Sequence, residues 1–244
     1  MRMPWEISRE MFLSFEETER LLACVRSRTH QGPGREAVAA MLDRVIIETL
    51  LLSGVRNSEL CRLAIADASI AGSESHLLIR GQRKQDRTVF IPQHLAELLS
   101  TFITHVRPQL LPDDVSARDP KQPLLFGEHR QPYERTGLYR RVVRILTEAG
   151  LAERASVQLL RHTYGYLAYA QTGGNLLFVQ RQLGHAHPII TSIYAQFVDE
   201  SYAAMADMVA DPSRPAGRAV IRPAQRKGPI TWKRRNRSRR LSDR

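Results

Sequence analysis

The sequence predicts a mainly α-helical fold carrying one small antiparallel β-sheet, an α+β class. Two observations predict it. Apolar residues recur at helical spacing over most of the chain, most clearly at Val38, Met41, Leu42, Val45 and Ile46. Between residues 76 and 91 the period changes. There His76-Leu77-Leu78-Ile79 and Thr88-Val89-Phe90-Ile91 read as two strands around the polar turn of residues 81–86.

Ser14 and Glu17 have capping-box spacing, and Leu21, Leu22 and Val25 follow at helical intervals. Residues 30–34 break that helix, and a second runs over 35–53. Gly54 suits a left-handed stop, and Asn57 or Ser58 can cap a short third helix through residue 63. After the hairpin, Pro92 ends the return strand and a helix covers 93–106. Residues 107–122 hold Pro108, Pro112 and Pro120 and read as a loop. A basic amphipathic helix covers 136–149 and stops at Gly150. Another covers 159–171 and stops at Gly173-Gly174. Asn175 can cap a helix through 183 that Gly184 ends. Two short helices follow, over 190–197 and 199–209. From Pro212 onward no apolar period survives, so disorder is expected. The chain thus divides into an N-terminal extension (1–11), one domain (12–210) and a basic tail (211–244).

Composition narrows the function. Hydrophobic residues make up 43% of the 244, enough for a real core. No run of about 18 apolar residues suggests a membrane span. Residues 1–10 lack a signal-peptide core, so an intracellular, cytoplasmic protein is expected. Cys24 and Cys61 sit in helical apolar patterns and read as small buried side chains rather than a disulfide or metal site. The net charge of +11 is uneven. Residues 211–244 hold twelve Lys and Arg against two acidic residues, which leaves the remainder nearly neutral. Such a tail suits a polyanion, and nucleic acid is the usual one; a solubilising disordered end is the other reading.

Four segments carry chemistry. Gly54-Val55-Arg56-Asn57-Ser58-Glu59 puts Arg56 at a helix start, where guanidinium and backbone N–H groups can converge on a phosphate. Glu59 is placed to orient Arg56. The hairpin turn holds Arg83, Lys84 and Arg87, and a lysine on such a turn can enter a DNA groove. The third segment is Gln158-Leu159-Leu160-Arg161-His162-Thr163. The fourth is Gln182-Leu183-Gly184-His185, followed nine residues later by Tyr194. Taken singly, each has an ordinary structural reading: a surface arginine, a solvated loop lysine, a cap histidine, a half-buried tyrosine.

In this order and spacing the segments resemble the tyrosine recombinase (phage integrase) family, over about residues 12–208. The resemblance implies a tyrosine recombinase catalytic domain and a site-specific recombinase or integrase that cleaves and rejoins double-stranded DNA. Arg56 and Arg161 would clamp the scissile phosphate. Tyr194 would attack phosphorus to give a 3′-phosphotyrosine and a 5′-hydroxyl. Lys84 would protonate the leaving oxygen, and His185 would hydrogen-bond the phosphate or assist proton transfer. No metal, ATP or other cofactor is implied. The implied assembly is a homo-tetramer on DNA, with an accessory DNA-bending protein as a further partner and no membrane. Residues 199–209, with Tyr202, Met205 and Met208, would form a helix that docks on a neighbour or packs on its own domain. Arg83, Arg87, Arg140, Arg144, Lys233, Arg234 and Arg235 are the expected DNA contacts.

Three features depart from the family pattern. Gln158 stands where a histidine is usual, and an amide can donate to phosphate but cannot shuttle a proton. The lysine usual after the turn glycine is Gln82 here, and Lys84 is two residues further on the same face. The N-terminal DNA clamp usual in the family has no counterpart in residues 1–11. Two other functions fit the same residues: a non-catalytic DNA-binding protein that retains the fold, and a type IB topoisomerase.

Overall fold

The computed structural model describes residues 8–28, 34–81, 86–117, 119–199 and 222–223. Among them the order of main elements is α1 (Phe15–Arg28), α2 (Arg35–Ser53), α3 (Asn57–Arg62), β1 (Ala68–Ser69), β2 (His76–Ile79), β3 (Arg87–Phe90), α4 (Gln93–Thr101), α5 (Arg135–Glu148), α6 (Val157–Gln171), α7 (Leu176–Leu183), α8 (Pro188–Ser192), β4 (Val198–Asp199) and β5 (Arg222–Pro223). The architecture is mainly helical with a small antiparallel sheet, as the periodicities predict.

Helix α1 starts at the expected capping box. The Ser14 backbone N–H donates to Glu17 Oε2 at 2.8 Å, and the Glu17 N–H donates to Ser14 Oγ at 3.0 Å. Helix α2 is the central element, and its second half is buried on nearly all sides. Its one fully buried carboxylate, Glu48, accepts from Arg26 and Arg44, which reach it from the protein's edge. Burial disfavours the charge on Glu48. The two guanidinium groups outweigh that and hold its pKa below the usual carboxylate range.

The three-stranded sheet has the order β1-β2-β3, with Leu77 opposite Val89 and Ile79 opposite Arg87. Strand alternation points Leu77, Ile79 and Val89 into the core and leaves Thr88 and Phe90 exposed. Arg87 lies on the inward face with Val89, which decides its role below.

The core has two parts. The larger is aliphatic and joins α1, α2, α4, α5 and the sheet. The smaller is aromatic, built from Phe12, Tyr164, Tyr166, Tyr169, Val179, Leu183 and Tyr194. Helix α6 belongs to both. Its Val157, Leu159 and Leu160 enter the first, and its three tyrosines enter the second. Thr163 on α6 also accepts the Leu13 N–H at 2.9 Å and so pins the chain leading into α1.

The structure departs from the sequence expectations in several places. Arg56, not Asn57 or Ser58, occupies the cap position of α3. The return strand begins one residue early, at Arg87. The helix expected over 93–106 leaves α geometry after Thr101, passing through a π turn at Phe102–Val106 and a 3-10 turn at Arg107–Leu110. Pro108 accounts for this, since it has no N–H to continue the ladder. The helix expected over 190–197 is split into α8 and a 3-10 turn, Ile193–Phe197. Strand β1 is only two residues long, too short to show a period. At 199, where a helix was expected to begin, β4 instead pairs antiparallel with β5, inside the tail expected to be disordered. Tyr202, Met205, Met208 and the rest of the tail lie outside the described residues.

Gly54 ends α2 at φ 64°, and a Cβ there would come within 2.4 Å of the Tyr164 ring. Gly54→Ala is expected to destabilise the fold by at least about 1–2 kcal/mol from left-handed backbone strain alone. A thermal melt should show a fall of roughly 2–8 °C. An unchanged melt would contradict the close packing of α2 on α6.

Candidate active site

Four chain segments meet where α2 ends. The first is the bend from Gly54 into α3. Its Arg56 side chain is 45% exposed and donates from Nη1 to Glu59 Oε1 at 2.8 Å, while the Arg56 N–H donates to Glu59 Oε2 at 2.7 Å. The second is β3. Arg87 makes a two-pronged pair with Glu59 at 2.7 and 2.8 Å and donates from Nε to the Gln182 carbonyl at 3.2 Å. Arg87 therefore braces α3, β3 and α7. Expected at the DNA, it is turned inward by the strand alternation. Burial opposes the Glu59 charge, but Arg87, the Arg56 N–H and the Arg56 guanidinium prevail and bring its pKa down to about 2.

The third segment is α6, which carries Arg161. This guanidinium is only 5% exposed. Nη1 donates to the Gly54 carbonyl, and Nη2 donates to the Leu183 carbonyl at 2.7 Å. Both acceptors lie at helix C-termini, where the partial negative charge favours a cation. Among the described residues no carboxylate is in salt-bridge contact with it. Burial, and next the like charge of Arg56, lower its pKa to about 10, so it remains charged at neutral pH. Three guanidinium groups thus share the site with one carboxylate, an excess of positive charge suited to a phosphodiester.

The fourth segment runs from the end of α7 to the 3-10 turn. Gly184, at φ 64°, closes α7, and a Cβ there would fall 2.8 Å from the Arg87 side chain, so its absence leaves room for that arginine. His185 Nδ1 lies 2.9 Å from Thr191 Oγ1. Burial, then Arg161 and Arg56, push the His185 pKa down to about 4. Tyr194 is 1% exposed, and its hydroxyl lies 3.1 Å from His162 Nδ1. Its ring rests on Gly165 so closely that a Cβ there would fall 2.3–2.6 Å from the ring and hydroxyl. Burial raises the phenol pKa and Arg161 partly offsets this, leaving it at about 12.

The structure thus brings Arg56, Glu59, Arg161, His185 and Tyr194 together. Gln158 is exposed on α6, one turn before Arg161. Lys84 and Arg83 lie outside the described residues, as do Lys233, Arg234 and Arg235. Arg140 is exposed on α5. Arg144 is half exposed and pairs with Asp43 and Glu148. Among the described residues no group of three His, Cys, Asp or Glu is placed to hold a metal ion.

Two residues have a place here that the sequence reading did not give them, Arg87, expected as a DNA contact, and the phenol's partner His162. A signal for the second exists. Gly165 sits inside a helix, where glycine costs about 0.5–1 kcal/mol relative to alanine, so a close approach there was to be expected.

Over residues 11–200 the chain matches the Phage integrase family. It is 25% identical over 164 residues to tyrosine recombinase XerD of Staphylococcus saprophyticus subsp. saprophyticus, covering 67% of this chain and 53% of that protein. It is 30% identical over 158 residues to a tyrosine recombinase of Pseudothermotoga lettingae, covering 65% and 50% respectively. The chain thus spans about half the length of these relatives. Among solved structures it resembles the XerH site-specific recombinase bound to palindromic difH substrate in a post-cleavage complex. That match has a TM-score of 0.63 at 26% identity, over 82% of this chain and 53% of that one. The Tn1549 transposon integrase in complex with transposon right end DNA shares the fold, with a TM-score of 0.60 at 17% identity over 84% and 67%.

Glu59→Gln leaves Arg87 without its counter-charge and is expected to cost roughly 3 kcal/mol at neutral pH. The folded pKa of Glu59 is depressed, so its contribution is complete above about 4.5 and lost as pH falls through about 2. Urea titrations of both proteins should show their stability difference shrinking across that window. A difference that stays constant down to pH 2 would contradict the assignment.

Proposed function

The chain belongs to the phage integrase family, and from that premise we propose that it is a site-specific DNA recombinase working through a 3′-phosphotyrosine. One observation carries the reading. A buried guanidinium, Arg161, is fixed by carbonyls rather than carboxylates, with a phenol inside its field. A cation placed so offers its charge to an incoming anion.

In this reading Arg56 and Arg161 hold the non-bridging oxygens of the scissile phosphate. Negative charge grows on those oxygens as phosphorus becomes five-coordinate, so fixed cations favour the transition state over the ground state. Arginine suits the task, because its planar fork matches two oxygens at once. Tyr194 attacks phosphorus, and the 5′-oxygen leaves with its electron pair and takes a proton from Lys84. His185, held neutral, donates a hydrogen bond to the phosphate, and Gln158 adds another from the exposed side. A 5′-hydroxyl of a second strand reverses the step and joins the ends. The phosphoester energy is retained in the covalent link, so the step draws on no nucleotide. Arg83, Arg140 and the basic tail supply contacts to the duplex backbone. The assembly proposed is four protomers across two duplexes, with a DNA-bending protein as a further partner, in the cytoplasm. A DNA-binding module without chemistry is the second reading, favoured by the amide at Gln158.

A pool of nicked duplexes with randomised flanks, incubated with the protein and run on a denaturing gel, tests the reading. A covalent adduct is expected, lost in Tyr194→Phe with DNA binding retained. Binding with no adduct from any duplex would favour the second reading. Arg161→Ala and Arg56→Ala should each slow adduct formation by roughly 10²-fold or more in single-turnover assays. Removing residues 213–244 should weaken binding and flatten its dependence on salt, and an unchanged salt slope would contradict the tail's role.

A further inference from the structure

We propose that His162 is the residue that takes the phenolic proton of Tyr194 as it attacks phosphorus. The inference rests on the recombinase reading and adds to it a residue with no role so far. His162 is the hydrogen-bond partner of the Tyr194 hydroxyl among the described residues, at 3.1 Å between oxygen and Nδ1. Gln158 cannot accept a proton. On α6, however, residue 162 lies one turn beyond 158 on the same face, and an imidazole stands there. His185, the other imidazole of the site, has its Nδ1 engaged with Thr191 Oγ1 instead.

The seat of the phenol fixes this geometry. Residues 158, 161, 162 and 165 share one side of α6. Gly165 forms a notch in it, and the Tyr194 ring fills the notch so that its oxygen meets His162. The aromatic cluster closes over the ring. The charge bearing on both members of the pair is Arg161, from α6 itself, and His162 in turn bears on His185, from the turn after α7.

Electrostatics sets the timing. Burial, and after it Arg161, hold the His162 pKa at about 4, while the phenol stands at about 12. With no phosphodiester bound, the proton therefore stays on oxygen. A phosphodiester bound at Arg161 brings a negative charge that offsets the repulsion on His162. Bond formation then removes the basicity of the phenolic oxygen. The proton passes as the bond forms, not before. A lone pair of the Tyr194 oxygen makes the new bond to phosphorus, and the O–H proton moves to Nδ1. The bond from phosphorus to the 5′-oxygen breaks with its electron pair on that oxygen, which is protonated by Lys84. In the rejoining step the imidazolium returns the proton to Tyr194.

His162→Asn tests the assignment, because the amide keeps hydrogen-bonding atoms near Nδ1 but cannot be protonated. Single-turnover adduct formation on the recovered nicked duplexes should fall by roughly 10²–10⁴-fold at neutral pH, the usual size of a general-base contribution. DNA affinity should be unchanged. The variant's rate should then rise tenfold per pH unit as hydroxide replaces the missing base, closing on the unsubstituted protein. A rate within about threefold of the unsubstituted protein at neutral pH, or an equal loss at every pH, overturns the proposal. ¹⁵N spectra of the histidines give a readout independent of folding changes in the variant. The proton of neutral His162 should sit on Nε2, and the Nδ1 signal should shift in Tyr194→Phe. A proton found on Nδ1 overturns the proposal by itself. No adduct from the unsubstituted protein sinks the recombinase reading and this inference with it, whereas equal adducts from that protein and His162→Asn sink the inference alone.

Discussion

The Arg161 guanidinium, gripped by the carbonyls of Gly54 and Leu183, is the constraint on which the site is built. A buried cation is tolerable only where something answers its charge. Here the answer comes from two helix ends, whose dipoles are permanent and carry no net charge. A carboxylate in their place would neutralise the group. The grip also fixes where α2 and α7 end against the side of α6, and a left-handed glycine stands at each of those two ends. Glu59 answers the remaining positive charge; it pairs with Arg87 and Arg56, and its charge also reaches Arg161 without a salt bridge between them. The outcome is a cluster in which Arg56 and Arg87 pair with the carboxylate while Arg161 is held by carbonyls alone.

The division of the core follows from that arrangement. Aliphatic side chains of α2, α5 and the sheet make a closely packed body. The aromatic cluster on the far side of α6 does a different task, enclosing a phenol with little room to spare. Tyr166 stacks on Phe12 with centroids 4.5 Å apart, and Phe197 meets Phe12 edge-on at 4.9 Å. Large flat groups can enclose a ring without the rotamer freedom that aliphatic chains retain. The Tyr194 phenol is thus packed between helix α6 and this cluster.

Much of this was legible in the sequence, and the reasons for what was not are physical. Ser14 with Glu17, Asn175 and Gly184 announce helix ends, because capping is a local interaction between residues three or four apart. Arg56, Arg161, His185 and Tyr194 were recognisable from order and spacing. Arg87 was misjudged because its partner Glu59 is 28 residues away, and only strand register says which way an arginine at a hairpin base will face. His162 was adjacent to a recognised arginine, but which of several tyrosines would fold back onto it depends on a 3-10 turn that periodicity cannot show. The exit from α geometry after Thr101 was foreshadowed by Pro108, yet the proline tells only that regularity fails, not how.

The hollow at Gly165 has a consequence for which side chain can reach His162 from this turn. It takes the far end of the Tyr194 ring, whose hydroxyl meets the His162 imidazole. A serine or cysteine at position 194 would leave the hollow vacant and its terminal atom well short of His162. A tyrosine at this place is therefore a matter of reach, set by the shape of a helix backbone, before any question of acidity arises.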